Sequence, residues 1–383
     1  MLATTGWTAV RRGTAPPGPY DAEAAAWRAA SAGGRPLPRP DAPPQRLAAF
    51  FASLTARDAD RLAERFPLVV GNLNGAPVTL RYRANRIALQ RELTRERTRE
   101  RERIALGALS PDGRRDAARR QHRLQALMGD DRQVLAFDPS GAGRVAEVLG
   151  DLDRAQRVSV VVPGVDTNLL TFERTQRKYT APAGMAESLY AAGRAAAPGI
   201  RTAVIAWADY TAPVGVGVES AMGRLAEGGS DRLVALTGAL PGASRISLVC
   251  HSYGSVVCGV AAHRLTPRVT DIAVAGSPGM RAGNVDELGA RARVWAARDR
   301  DDWIEDVPHL EVGGFGHGTD PVSPEFGARV VSTEGAIGHT GYFEPGTESV
   351  TNFANMAVGS YDGVSCASAD ATCRRDISGE AAS

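Results

Sequence analysis

Residues 246–259 read Ile-Ser-Leu-Val-Cys-His-Ser-Tyr-Gly-Ser-Val-Val-Cys-Gly. An aliphatic run stops at Cys250-His251-Ser252-Tyr253-Gly254, and a segment of small residues follows. In that strand–turn–helix setting a serine sits on a tight turn at the top of a sheet. The turn lifts Oγ clear of the backbone and leaves the next N–H free to stabilise an oxyanion. Such a serine usually lies in G-x-S-x-G, whereas here Cys250 stands in place of the first glycine. A serine hydroxyl needs a base, and the base needs a carboxylate to fix its tautomer. Both follow downstream. Val294–Ala297 reads as a buried strand running into Arg298-Asp299-Arg300-Asp301-Asp302-Trp303-Ile304, and Gly338-His339-Thr340-Gly341 is a polar, glycine-flanked turn. Ser252 is then the nucleophile, His339 the general base and Asp302 the orienting acid. Asp302 is chosen because Asp302-Trp303-Ile304 fits the D-x-[IV] phrase that follows such a strand; Asp301 and Asp299 remain rivals. The N–H of Tyr253 supplies one oxyanion donor, and Val165 or Asp166, after the Pro163-Gly164 turn, supplies the second.

The order Ser…Asp…His is that of α/β-hydrolases and differs from the orders on other serine-triad folds. Other histidines compete for the base role. His317 with Asp320 is a rival pair in a glycine-rich rim, and His251 beside the nucleophile is read as orienting local backbone. His309 lies between acid and base, while His122 and His263 read as surface or helix-packing residues. Trp303, Phe315 and Tyr342 are candidates to line an apolar acyl pocket.

Composition narrows the classes. The chain has 383 residues with 45 basic and 43 acidic side chains, a formal charge of +2, so nothing favours nucleic acid as a partner. No apolar stretch approaches a membrane span. Met1–Trp7 lacks a basic region followed by an apolar core, so a cytoplasmic location is expected. Four cysteines are too few for a disulfide framework in this length. Cys250 and Cys258 are expected as small buried hydrophobes, and Cys366 and Cys373 as either a local disulfide or free thiols. No His/Cys cluster has metal spacing and no glycine-rich loop has the strand–GxGxxG–helix pattern, so no metal and no organic cofactor is expected.

The elements that must position these residues divide the chain in three. Residues 1–130 read as a helical N-terminal region, with a helix candidate over Asp21–Ala30, a Pro-rich linker over Gly33–Pro44, and Thr55 as an N-cap paired with Asp58. Gly71–Gly75 reads as a turn. Arg81–Met128 reads as two charged helices broken near Ser110–Gly113. Within it Arg91–Arg103 is read as a solvated helix laced with ion pairs, because Glu92, Glu96, Glu100 and Glu102 offset the arginines. Residues 131–360 alternate strands and helices: Val134–Asp138, Arg144–Leu149, Val158–Val162, Thr202–Trp207, the strand before Ser252, Asp271–Ala275 and Arg293–Ala297. That order predicts a mainly parallel sheet with helices on both faces. Residues 361–383 read as a polar tail.

Several phrases carry a wider resemblance: Pro67 to Gly75, Arg81 to Arg86, Val162-Pro163-Gly164-Val165, His251 to Ser255, His317 to Pro321, Ser323 to Arg329, and Gly338-His339 through Tyr342-Phe343. On them the chain resembles an actinobacterial α/β-hydrolase family long catalogued as a domain of unknown function. The resemblance runs from about Ala48 to Asn355. It implies an α/β-hydrolase fold with a helical N-terminal extension and a serine triad, and it implies no substrate. The expected function is a serine hydrolase cleaving a carboxylic ester of a small acyl substrate, with thioester or amide as variants. The alternative is a catalytically silent hydrolase-like protein that binds a partner through its helical region. That region is expected to cap one edge of the sheet and narrow the pocket.

Overall fold

A computed structural model describes residues 18–32, 34–368 and 372–377. The readings of Met1–Trp7 and of the last residues of the tail lie outside them. The centre is an eight-stranded sheet. Its strands are β1 (Gln133–Asp138), β2 (Arg144–Gly150), β3 (Arg157–Val162), β4 (Thr202–Ala208), β5 (Arg245–His251), β6 (Val269–Ala275), β7 (Arg293–Ala297) and the short β8 (Arg329–Val330). Across the sheet they run β8-β7-β6-β5-β3-β4-β2-β1. From β3 onward every pairing is parallel, while β2 is antiparallel to both β1 and β4. The order turns back at β3 and β4, which leaves β5, with Ser252 at its C-terminal end, in the middle.

Strands covered on both faces read as unbroken apolar runs. In β3, Val161 points to one face while Val158, Val160 and Val162 point to the other. The first face is covered by α7 (Pro182–Ala196) and α11 (Glu348–Val358), through Met185, Leu189 and Phe353. After the one-turn α8 (Val218–Ala221), the second is covered by α9 (Arg224–Ala239) and α10 (Tyr253–Ala261), through Leu233, Val256 and Val257. Gly259 lets α10 press onto the next loop, since a Cβ there would lie 2.0 Å from the Met280 carbonyl oxygen.

The N-terminal region has its own small core around Trp27, Phe51, Phe66 and Val70. It comprises α1 (Pro19–Arg28), α2 (Pro44–Ala52), α3 (Ala56–Arg65), α4 (Pro67–Asn72), α5 (Val78–Ala105) and α6 (Pro111–Ala126). Thr55 caps α3, its Oγ1 accepting from the Asp58 N–H at 3.1 Å. Part of the expected turn at Gly71 is the end of α4. The Pro-rich stretch before α2 is packed: Leu37 is buried, and Trp27 Nε1–H donates to the Pro38 carbonyl at 2.6 Å. The region covers the free edge at β1. Asn72 donates to the Phe137 carbonyl at 2.7 Å and accepts from its N–H at 3.2 Å, and Asn85 donates to the Val134 carbonyl at 2.9 Å. These amides satisfy backbone groups that an open edge would expose. The α5–α6 hairpin is laced as its charge pattern predicts, with Arg99–Glu96 at 3.0 Å along α5 and Arg120–Glu96 at 3.1 Å between the helices.

The C-terminal stretch corrects the sequence reading. Residues 361–368 and 372–377 are packed against the sheet instead of trailing as a polar tail. Tyr361 stacks on Trp295 at 6.1 Å between centroids and donates to Asp271 at 2.8 Å; Cys373 and Ile377 join the core. A Cys366–Cys373 disulfide closes the segment.

Candidate active site

Ser252 is the single residue between β5 and α10, and it sits at φ 54°, ψ −129°. A non-glycine residue at positive φ is costly and is found where the surroundings enforce it. Here the Ser252 N–H donates to the Ala275 carbonyl at 2.9 Å, and the chain beyond is squeezed against β3. A Cβ on Gly254 would stand 2.2 Å from the Val162 carbonyl oxygen, so only glycine fits two residues after the serine.

Cys250 corrects another expectation. It is not a free thiol: it is bonded to Cys258, with Cα atoms 6.6 Å apart. A parallel strand followed by its crossover helix doubles the chain back, so the end of β5 meets the second turn of α10. Both sulfurs are fully buried. The bridge spans the Ser252 turn and uses the Cβ that a glycine would lack.

The structure brings Ser252, His339 and Asp302 into one hydrogen-bonded run. His339 Nε2 lies 2.9 Å from Ser252 Oγ, and His339 Nδ1 lies 2.8 Å from Asp302 Oδ1. Asp302 follows β7, and His339 lies in a 3-10 turn, Gly338–Phe343. Asp302 also accepts from the Ile304 N–H at 2.9 Å and from the Tyr342 hydroxyl at 2.5 Å. Burial pushes the Asp302 carboxyl up, but the His339 hydrogen bond and charge, Tyr342 and the Ile304 N–H outweigh it and hold it below the ordinary carboxylate range. It therefore stays ionised beside His339.

The rivals are elsewhere. Asp301 is exposed. Asp299 is buried and accepts from the Gly338 N–H at 2.7 Å, which anchors the turn carrying His339. Asp320 pairs with Arg298. His317 points its Nε2 at the Ser220 carbonyl, 2.7 Å away, and burial lowers its pKa. His251 fits the orienting reading: its Nε2–H donates to the His339 carbonyl at 2.6 Å, and burial, with the nearby His339 charge, brings its pKa down to about 3. A neutral His251 thus braces the backbone of His339. Trp303 covers the other side, its ring 4.6 Å from the His339 ring between centroids.

Tyr253 and Val165 both flank Ser252 at the cleft. Neither backbone N–H has a hydrogen-bond partner among the described residues, whereas the Asp166 N–H is taken by the Pro213 carbonyl at 2.9 Å. Of the two, Val165 is the one whose N–H is unengaged among the described residues. The Pro163–Val165 turn passes so close that a Cβ on Gly164 would lie 2.6 Å from Ser252 Cβ, and Tyr210 fixes it by donating to the Pro163 carbonyl at 2.6 Å.

An apolar cleft of about 410 Å³ opens beside Ser252, lined by Val165, Val216, Trp303, Leu310 and Phe315 among others. Two of the three aromatics expected there line it. Tyr342 does not: it is fully buried and serves Asp302 through its hydroxyl. Among the described residues, none of the helical N-terminal region lines the cleft. Sequence reasoning missed the partners of Tyr342 and Asp299, which it had read as pocket lining and a rival acid, and the Cys250–Cys258 bridge. Only the bridge had a signal, a cysteine at each end of the expected strand–turn–helix. Among the described residues no group of three or more His, Cys, Asp or Glu could hold a metal ion, and no helix is long and apolar enough to cross a membrane.

Strand order and elbow are those of the α/β-hydrolase fold. Residues 138–312 match the family model described as alpha/beta hydrolase, a match that takes in Ser252 and Asp302 and ends before His339. Two relatives are the uncharacterized proteins Rv2079 and MT2140 of two Mycobacterium tuberculosis strains, each 27% identical over 85% of this chain. The chain spans 57% of the length of these curated relatives. Among solved structures, the 2,6-dihydroxy-pseudo-oxynicotine hydrolase is 12% identical with a TM-score of 0.38, over 82% of this chain and 96% of that one. A dienelactone hydrolase from Anabaena variabilis is 14% identical with a TM-score of 0.36, over 61% and 99%.

Proposed function

We propose that the protein is a serine hydrolase that cleaves a carboxylic ester through an acyl-enzyme. One observation carries this reading: the Ser252–His339–Asp302 hydrogen-bonded run opens directly onto an apolar cleft. His339 Nε2 takes the proton from Ser252 Oγ as Oγ attacks the ester carbonyl carbon. Asp302 holds Nδ1–H and stabilises the imidazolium that forms. The N–H groups of Tyr253 and Val165 receive the developing oxyanion. Collapse expels the alcohol, protonated by His339, and water then releases the acid by the same route in reverse. The acyl chain lies along Val216, Leu310 and Phe315. The fully buried Cys250–Cys258 and the Cys366–Cys373 disulfides favour an oxidising compartment over the cytoplasm.

A series of p-nitrophenyl esters from acetyl to palmitoyl tests the assignment. kcat/KM rises with chain length until the cleft is filled, and Ser252→Ala abolishes turnover of every ester. Absence of turnover across the series would instead mark a silent scaffold.

A further inference from the structure

Nine large apolar side chains stand exposed among the described residues, and only Ile104 and Leu106 lie away from Ser252. The other seven sit on three loops at the C-terminal end of the sheet, around one cleft. Val214, Val216 and Val218 alternate along the loop after β4. Trp303, Leu310 and Phe315 face them from the segment after β7, and Ile337 precedes the His339 turn. Soluble surfaces rarely gather so much contiguous apolar area without a use for it.

These loops are held. An isolated bridge joins Met222 to Phe315. Arg281 donates to the Gly314 and Gly316 carbonyls, each at 3.3 Å, and pairs with Glu311 at 2.5 Å. The Gly215 N–H donates to Asp166 at 2.8 Å. The valines are therefore presented outward by a fixed frame. Val214, Val218 and Ile337, at 81%, 66% and 80% exposure, do not line the cleft, so an acyl chain inside it leaves them uncovered. Whatever covers them is broader than one substrate molecule and continuous with it.

Charge selects among such surfaces. Glu219, Asp301, Glu305 and Asp306 are exposed on the same loops, against Arg300 and against Arg177, which donates to Thr340 of the His339 turn at 2.9 Å. An acidic margin repels anionic headgroups and tolerates neutral or zwitterionic ones. We propose that the mouth of the cleft docks on an aggregated neutral or zwitterionic lipid surface, from which an ester-bearing acyl chain passes into the cleft. The proposal rests on the hydrolase reading for its purpose, though docking and turnover are measured separately.

Flotation of the Ser252→Ala protein with phosphatidylcholine vesicles measures docking without hydrolysis. Binding is expected, weaker to phosphatidylglycerol vesicles at low salt. Adding Val214→Ser, Val218→Ser and Ile337→Ser should lower vesicle partition on the order of 100-fold, given the apolar area withdrawn from water. The same triple change on the active chain should leave kcat/KM for a soluble acetyl ester unchanged, because none of the three lines the cleft. Absence of vesicle binding, wild-type binding by the triple variant, or preference for the anionic vesicles would overturn the proposal. So would a concentration-dependent dimer that the triple change dissolves, which would assign the surface to a second copy. Vesicle binding without esterase turnover would sink the hydrolase reading and leave docking standing; turnover on soluble esters without vesicle binding would do the reverse.

Discussion

Tyr342→Phe removes one oxygen from the candidate site and almost nothing else. The ring stays, still packed near His251, at 5.9 Å between centroids. Two hydrogen bonds go: the donation to Asp302 at 2.5 Å and the acceptance from the Asp299 N–H at 2.9 Å. A hydrogen bond to a charged group contributes about 1.5–3 kcal/mol. If most of that loss falls on the charge pair formed as His339 becomes an imidazolium, kcat drops about 10- to 100-fold, at about 1.4 kcal/mol per decade. KM should hold, because Tyr342 lies outside the cleft. The pH dependence gives the sharper readout. Asp302 is pushed up by burial and held down by His339, Tyr342 and the Ile304 N–H, so deleting the Tyr342 contribution moves its carboxyl upward. A protonated Asp302 cannot accept from Nδ1–H, so a second acid limb, set by Asp302 beneath the one set by His339, should come at a higher pH in the variant than in the wild type. Stability follows the same sign. A depressed folded-state pKa stabilises the fold above the unfolded value and is lost as pH falls through the folded one, and the variant keeps less of that increment. Steady-state kinetics on a soluble ester across pH measures both effects. Wild-type kcat together with an unmoved acid limb would refute the positioning role; a purely structural loss would lower the active fraction without moving the limb.

Asp302→Asn should cost about 10⁴ in kcat while Asp301→Asn stays within a few-fold, and Asp299→Asn falls between because it frees the Gly338 N–H; the three variants assayed side by side decide which acid serves His339. The acid limb of the pH–rate profile should disappear in His339→Ala and persist in His251→Ala and His317→Ala, because burial already keeps His251 at about 3 and lowers His317. Replacing Cys250 and Cys258 by Ala should cost about 2.5 kcal/mol in reversible denaturation, from closing a loop of eight residues in sequence. Mild reductant on the folded protein should leave esterase activity intact, since both sulfurs are fully buried.

Much of this arrangement was readable in the residues themselves. The sheet was legible because strands buried on both faces must be apolar throughout, as at Val158–Val162, and the elbow because few sequences pass from such a run through Ser252 to Gly254 and a small-residue helix. Asp302 and His339 could be named as candidates because acyl transfer requires those residue types late in the chain, and the structure brings both into hydrogen-bonding distance of one another. Tyr342 was not legible in its actual role: an aromatic flanked by Gly341 and Phe343 reads as apolar lining, and its partner Asp302 is 40 residues away in sequence. The Cys250–Cys258 bridge needed the helix to be folded back onto its strand before a separation of eight meant contact. The packing of Tyr361 and Ile377 was hidden because most of the intervening residues are polar or small, and the pairing with Asp271 and Trp295 shows why Tyr361 turns inward.

The most direct test of the central claim is covalent labelling. A fluorophosphonate is attacked at phosphorus, with loss of fluoride, only by a serine whose hydroxyl is activated, and digestion with mass spectrometry locates the adduct. The account predicts one phosphonylated residue, Ser252, with labelling lost in Ser252→Ala and strongly slowed in His339→Ala. An unlabelled wild-type protein, or an adduct that persists on another residue in Ser252→Ala, would contradict it.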